Sequence, residues 1–558
     1  MKPNRIFRFM TLFAMIAIVL AACAPAATPA PATEAPAATE APSATEAPAV
    51  TEAPAATEAP VETEAPAATE VPAEAGECLN VAGVESSGEK LNLDPVNQPS
   101  TENSIMVQQV FNRLLDLDAN LQPVPELAEK WESNEDGTEW TFHLRQGVKF
   151  HDGKELTAND VVYTFKRLID PATGSEAAAT LAFLTADSIT AKDDYTVVFT
   201  VEKPVVELPI LISSKNTYIV QDGATAETLN YAPVGTGPFI PVDFDVNAQP
   251  HVFLKNTDYW EAGLPKVDCV EFYSIQEATT RNASLLSGEI DLAQQVDYAT
   301  ISTLQSSPDV QLMVSPGAAT SMVLGMWVDT SPFDNLNVRK ALKMAIDRQA
   351  MLDTVLLGYG EIGDDNPVPP SSPYAWRSEA QQHDVEGAKA LLAEAGYGPD
   401  NPLKIDLYMS EYIPGATALG EIFKEQVAEV GVEVNLVIGP ASEHWDNVWL
   451  KFPFVGSGWN MRHPGEGLAI AHRSNAQYPE THWYREDYDK LLDEANTEPD
   501  PAKRTELYKA AEKMLSEEGG SIIPLFQKIV AALSSKCTGY QPFIQLYRMD
   551  LRNVACTK

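Results

Sequence analysis

A six-residue repeat near the N-terminus sets the first limit on what this chain can fold into. Thr33-Glu34-Ala35-Pro36 recurs at that period through Thr63-Glu64-Ala65-Pro66 and ends in the variant Thr69-Glu70-Val71-Pro72. Residues 24–77 lack large apolar side chains, so burial cannot offset the entropy of ordering them. Proline stiffens such a segment and the glutamates repel one another, giving a reach of up to about 3.1 Å per residue. The tract reads as a spacer, and the folded body is expected to begin at Cys78.

Upstream of the repeat, Lys2, Arg5 and Arg8 precede an apolar run from Phe9 to Leu20. That run is too short to span a bilayer comfortably and reads as the core of an export signal over residues 1–22. It ends in Leu20-Ala21-Ala22-Cys23, which resembles a bacterial lipobox. The resemblance implies cleavage just before Cys23, diacylation of its thiol and acylation of the new N-terminus. Residues 23–77 would then be the lipidated Cys23 and its tether. Several acyl chains anchor firmly, because each buried methylene adds roughly 0.8 kcal/mol. The plainer alternative is an ordinary cleavage site with an incidental cysteine. The expected location is the periplasmic or cell-surface face of a membrane.

A body drawn from 558 residues is expected to split into lobes, since single cores stop growing beyond about 250–300 residues. The net charge of −40 argues against a nucleic-acid partner and against charge-driven binding to anionic lipid. It suits a monomer outside the cytoplasm. Beyond Cys23, four cysteines remain: Cys78, Cys269, Cys537 and Cys556. They permit two disulfides in three connectivities, with a staple near the chain ends expected.

From Cys78 onward the patterning is that of an α/β protein. Trp140, Phe142 and Leu144 alternate with polar residues as a half-buried strand. Thr157-Ala158-Asn159-Asp160 opens a helix with Val161, Val162, Phe165 and Leu168 inward. Leu403 to Met409 alternates as a strand, a helix with Leu419, Ile422, Phe423 and Val427 follows, and a second strand runs from Val432 to Ile438. That unit predicts a parallel, right-handed crossover. Asp384 caps a preceding helix that stops at Gly396.

Motifs for chemistry are sparse. Gly83-Val84-Glu85-Ser86-Ser87-Gly88 has P-loop glycine spacing, but Glu89 stands where a phosphate-binding Lys is needed. His151-Asp152-Gly153 reads as a turn rather than a metal pair, with no His/Glu cluster beside it. No GxSxG elbow is present, and no Cys lies near a suitable His. No metal and no cofactor is expected. Pro233-Val234-Gly235-Thr236-Gly237-Pro238-Phe239 marks a sharp, stiff turn, expected as a crossover between lobes with Gly235 and Gly237 at its centre.

Pro125-Glu126-Leu127-Ala128, Trp131, Asp136-Gly137 and the stretch from Trp140 to Arg167 form one contiguous signature. With the 233–239 turn, Asn256-Thr257-Asp258-Tyr259-Trp260, Ser287-Gly288-Glu289-Ile290-Asp291, Pro332-Phe333-Asp334-Asn335 and Glu394-Ala395-Gly396-Tyr397, it resembles the dipeptide/oligopeptide (peptide/nickel) class of ABC-transporter substrate-binding proteins. The resemblance spans essentially the whole body. It implies a two-lobed, periplasmic-binding-protein-like clamshell enlarged by a third domain (cluster C type). On that pattern the first lobe comprises 78–110, 218–320 and 523–558, the extra domain 111–217, and the other lobe 321–522. It also implies a non-enzymatic receptor that passes a peptide-like or other small polar solute to a separate permease and ATPase. Oligosaccharide, opine or metal-chelate cargo is the alternative within the class, and a secreted hydrolase the alternative outside it.

The resemblance places the solute where the lobes face each other. Peptide-binding relatives carry a Trp followed three residues later by an Asp that meets the peptide α-amino group. Here Trp459 is present, but Arg462 stands at the Asp position. A guanidinium prefers a carboxylate or phosphate, so Arg462 is expected to hold an anionic solute group or to pair with a protein carboxylate such as Glu102. Asn103, Ser457, Asn460 and His463 join it as expected solute contacts. Trp327, Trp445 and Trp459 are expected to supply an aromatic wall, with core packing as the competing role for each.

Overall fold

The structure is a computed structural model describing residues 78–83, 91–98, 100–178, 180–242, 244–245, 249–275, 277–378 and 383–557. All of these lie in one compact unit, Thr69–Lys558. The export signal, Cys23, the repeat tract and most of the 83–88 glycine motif fall outside the described residues. Among the described residues, no helix is long and apolar enough to cross a membrane.

The first lobe is built on a seven-stranded sheet, in the order Val310–Val314, Val530–Ser534, Leu292–Ala293, Cys78–Gly83, Cys269–Ser274, His251–Lys255 and Phe239–Pro241. Strands from three distant stretches of chain thus share one core, which includes Leu79, Val81, Phe253 and Val270. Cys78–Gly83 runs parallel to Cys269–Ser274 with Cys78 opposite Cys269, and these two form a disulfide. The second disulfide joins Cys537 to Cys556 across a short antiparallel ribbon near the C-terminus. Of the three connectivities open in the sequence, sheet order selects this one.

The second lobe carries a six-stranded sheet, in the order Gly360–Ile362, Ser521–Gln527, Thr320–Met326, Phe454–Asn460, Leu403–Met409 and Val432–Ile438. The strand–helix–strand unit expected from periodicity is present. Leu403–Met409 pairs in parallel with Val432–Ile438 over seven residues, and the Ala416–Ala428 helix between them buries Leu419, Phe423 and Val427. Asp384 caps the Val385–Glu394 helix through Gly387 N–H. Two expected lobe boundaries fall inside paired strands. Thr320 pairs with both Asn460 and Gln527, and Ser521–Gln527 stays in this sheet to its last residue. The chain therefore returns to the first lobe at Lys528–Ile529 rather than at 523.

Between residues 128 and 200 lies a separate antiparallel sheet, ordered Ala128–Ser133, Glu139–Leu144, Thr196–Thr200 and Ile189–Asp193. The Ala158–Ile169 helix covers it, opened by the Thr157/Asp160 capping box. Phe142 and Phe165 both meet Phe199 edge-on, at 5.4 and 5.0 Å between ring centres. The crossover turn then passes close to the end of the Thr101–Val110 helix. A Cβ at Gly235 would sit 2.0 Å from the Val110 carbonyl oxygen, so only glycine fits. His151 straps this turn: its Nδ1 accepts the Gly235 N–H at 3.3 Å and its Nε2 meets the Gly237 carbonyl at 3.0 Å. Burial holds this imidazole below its ordinary pKa, in keeping with a neutral ring that accepts on one side and donates on the other. The His151-Asp152-Gly153 turn is thus a turn that also pins the crossover.

Candidate functional site

A cavity of about 440 Å³ opens where three parts of the molecule meet. The extra domain contributes Glu176, Glu207 and Lys215. The second lobe contributes Asn460, Arg462, His463, Glu466 and Tyr478, and the C-terminal segment adds Gln545 and Tyr547. Its volume suits a solute of a few residues or rings. Asn460 ends a central strand, and the chain then turns across the sheet's end, which is why 460–463 project into the space.

Arg462 carries the most prominent charge on this wall. Its Nε donates to Glu466 at 2.8 Å and its Nη1 to the Asn460 carbonyl at 3.0 Å. Its Nη2 has no hydrogen-bond partner among the described residues. The carboxylate partner is thus Glu466, four residues on, and not Glu102. On the opposing wall Lys215 pairs with Glu176 at 3.2 Å and donates to the Gln98 carbonyl at 2.6 Å. The cavity therefore presents both signs of charge in near balance.

Behind Arg462 stands an aromatic cluster. Its guanidinium lies 5.5 Å from the Trp459 ring centre, within cation–π range. Trp459 and Trp449 pack against each other and both against Tyr478, at 5.3 to 5.8 Å. A buried carboxylate organises them. Glu480 accepts from Trp459 Nε1 at 3.0 Å, Trp449 Nε1 at 3.2 Å and Ser457 Oγ at 2.7 Å. Ser457 and Trp459 are two apart on one strand and so share a face. Burial pushes the Glu480 carboxyl above its ordinary pKa, and the three neutral donors only partly counter it.

His463 is almost fully buried beside Arg462. Its Nδ1 lies 3.2 Å from Glu207 Oε2 and accepts the Gly465 N–H at 3.4 Å, while its Nε2 has no hydrogen-bond partner among the described residues. Gln545 Oε1 is likewise buried without a partner; its Nε2 donates to the Met461 carbonyl at 3.4 Å.

The structure therefore brings Asn460, Arg462 and His463 to the cavity, with Trp459 and Ser457 directly behind. Trp445 is 43% exposed at the outer end of the aromatic cluster, against Trp449 and Tyr412. Trp327 follows the strand end opposite to the one paired with Asn460, about 20 Å away at 3.3 Å per residue. It stacks on His482 instead. Glu102 and Asn103 are buried in the first lobe and do not line the cavity. Glu102 accepts from Ser274 Oγ, and Asn103 is tied to Ser100 and the Asn92 carbonyl as part of a helix start. Glu207, Glu480, Lys215 and Gln545 were not anticipated, because none sits in a local pattern that distinguishes it from a surface polar residue. Among the described residues, no group of three or more His, Cys, Asp or Glu is placed to hold a metal ion.

The sequence profile of the bacterial extracellular solute-binding proteins, family 5 Middle, matches residues 122–479, more than half of the chain. The chain belongs to this family. Heme-binding protein A of Haemophilus influenzae is 30% identical over 477 residues, covering 78% of this chain and 84% of that protein. Di/tripeptide-binding protein 1 of Pseudomonas aeruginosa is 28% identical over 470 residues, covering 78% and 86%. The solved structure of AgaA with agropinic acid, from A. tumefaciens R10, shares 25% identity at a TM-score of 0.69, covering 86% of this chain and 99% of that one. Family 5 proteins are extracytoplasmic solute receptors of ABC importers, with a two-lobed clamshell and a third domain, and this chain is one of them.

Proposed function

We propose that this receptor encloses a small polar solute with an anionic group, held at Arg462 in the cavity between the extra domain and the second lobe. The observation that carries the reading is Arg462 itself, half-committed to Glu466 and Asn460, with Nη2 turned to neither. A peptide-like solute bound through its carboxylate fits, as does an opine-like acid. The relatives named above are described as binding heme, di/tripeptides and agropinic acid, so membership fixes the task more tightly than the cargo. Binding is reversible and non-catalytic, with delivery by a monomer to a membrane permease powered by a separate ATPase. Cys23 serves as the lipid anchor and residues 24–77 as the spacer. The lobes divide near the expected bounds, with the second lobe beginning at Thr320 and extended to Gln527.

The test is native mass spectrometry of the body without its spacer, before and after denaturing extraction. A retained anionic solute is expected. A charge-assisted hydrogen bond contributes roughly 1.5–3 kcal/mol, so Arg462→Ala should weaken its binding about 10- to 100-fold. Lys490→Ala, at a distant exposed cation, should leave binding unchanged. Unchanged affinity in Arg462→Ala would remove Arg462 from the site.

A further inference from the structure

Glu207 lies in the extra domain, yet every side chain it pairs with among the described residues belongs to the second lobe. Its Oε1 accepts from Tyr508 Oη at 2.7 Å and lies 3.4 Å from Arg504 Nε. Its Oε2 lies 3.2 Å from His463 Nδ1. Glu207, His463 and Tyr508 are buried, and Arg504 nearly so. The Arg504 guanidinium stays charged at any working pH, and a fixed cation this close favours the ionised carboxyl whatever the state of His463.

The second lobe builds the receiving socket by itself. Arg504 and Tyr508 are four residues apart on the Pro501–Glu518 helix and so share a face. Arg504 Nη1 donates to the Glu498 carbonyl at 2.8 Å, and the Tyr508 ring sits in a buried cluster with Tyr488 and Leu515. Room for the carboxylate comes from a glycine: a Cβ at Gly465 would fall 2.5 Å from Glu207 Oε2 and 2.9 Å from Tyr508 Oη. The Glu207 backbone is fixed in turn, its carbonyl accepting the Ile210 and Leu211 N–H groups at 2.9 and 3.1 Å. Two further contacts join the same domains. Gln122 Nε2 donates to Tyr374 Oη at 3.2 Å, and Leu117 and Leu121 share a buried apolar cluster with Val323, Met461 and Phe526.

We propose that Glu207 is a positioning residue, a latch that plugs into the second-lobe socket and keeps the cavity closed in part of the population even without solute. The reading of what the cavity holds rests on the receptor function above. None of the latch contacts involves a solute, and each partner is held in place by its own domain. Glu207 and His463 also line the cavity, so parting the two domains breaks the latch and opens the cavity wall in one motion. Solute release therefore waits on the latch.

The experiment is double electron–electron resonance on the solute-stripped body, with spin labels at Lys192→Cys in the extra domain and Lys490→Cys in the second lobe, both exposed. The wild type should show two separations, the shorter matching the structure. Glu207→Ala and, from the opposite side, Tyr508→Phe should each reduce the short population at least fivefold. The double variant should lose no more than Glu207→Ala alone, because both changes remove one latch. Gly465→Ala, whose new carbon displaces the carboxylate, should act in the same direction. Lys513→Ala, at an exposed cation of the same helix, should change nothing. Should Glu207→Ala fail to fold, Tyr508→Phe, which keeps the buried ring, carries the same test. A single long separation in the stripped wild type would overturn closure without solute. A short population unchanged in Glu207→Ala, or lower still in the double variant, would overturn the latch. In parallel, solute retained by the wild type in native mass spectrometry should be lost at least tenfold faster from Glu207→Ala, and equal rates would overturn the link to release. A wild type that retains no solute would count against the proposed cargo and leave the spin-label separations to decide the latch.

Discussion

Gly235 meets the end of the Thr101–Val110 helix so closely that the effect of one added carbon can be worked out. In Gly235→Ala the new Cβ would lie 2.0 Å from the Val110 carbonyl oxygen and 2.7 Å from the Phe111 ring. An ordinary close carbon–oxygen contact is about 3.3 Å, so something must shift by about 1.3 Å. The obstacle is backbone rather than the end of a flexible side chain, and Val110 and Phe111 are completely buried. The same carbonyl accepts the Gly237 N–H at 2.8 Å. Overpacking a rigid interior costs roughly 1–3 kcal/mol, and a strained or lost hydrogen bond adds about 1 kcal/mol. Unfolding entropy is about 2.1 cal/mol/K per residue. If the whole body of roughly 480 residues unfolds together, the combined penalty of about 2–4 kcal/mol lowers the melting temperature by about 2–4 °C. If the first lobe, about 170 residues, unfolds by itself, the drop is about 6–11 °C. Scanning calorimetry separates the two cases. Gly398→Ala is the control, since an added Cβ there meets nothing within 4 Å, and it should shift melting by less than 1 °C. A Gly235→Ala protein that melts within 1 °C of wild type would refute the close-packed crossover.

Glu480→Gln keeps the shape of the buried carboxylate but turns one acceptor into a donor, leaving an indole N–H or the Ser457 hydroxyl unpaired. A raised carboxyl pKa contributes stability that is full below the ordinary value and lost as pH rises through the folded value. The variant's deficit in melting temperature should therefore be larger at pH 4.5 than at pH 8, with a shifted tryptophan emission at both; a deficit independent of pH would count against the buried-charge account. His251 and His472 are held down to about 4 by burial. Depressed values of this kind contribute stability that is full above about 6.5 and lost as pH falls toward 4. Melting temperature should drop steeply across that window, and His472→Gln should flatten the drop; an unchanged slope would show that His472 does not drive it.

Local patterning determined the pieces of this protein. The alternation from Leu403 to Met409 and from Val432 to Ile438, the Thr157/Asp160 box and the Asp384 cap each depend on neighbours within a few residues, so the chain declares them by itself. The crossover glycines and the family signature were legible for the same reason, and so was Arg462, whose departure from the peptide-binding pattern stands out within one short segment. Sheet order is a different kind of fact. It placed Cys78 beside Cys269 across 191 residues, carried Ser521–Gln527 into the second lobe, and put Trp327 at the wrong end of its strand to meet Trp459. Glu102 and Asn103 turned inward because their helix starts against the first-lobe core. Glu207 and Glu480 gain their roles only from side chains brought in by other elements: His463, Tyr508 and Arg504 for one, Ser457 and two indoles for the other. A carboxylate in a sequence carries no mark of its future partners. Burial and proximity, which only the tertiary structure supplies, decide whether it is a solvated charge or the fixed point of a site.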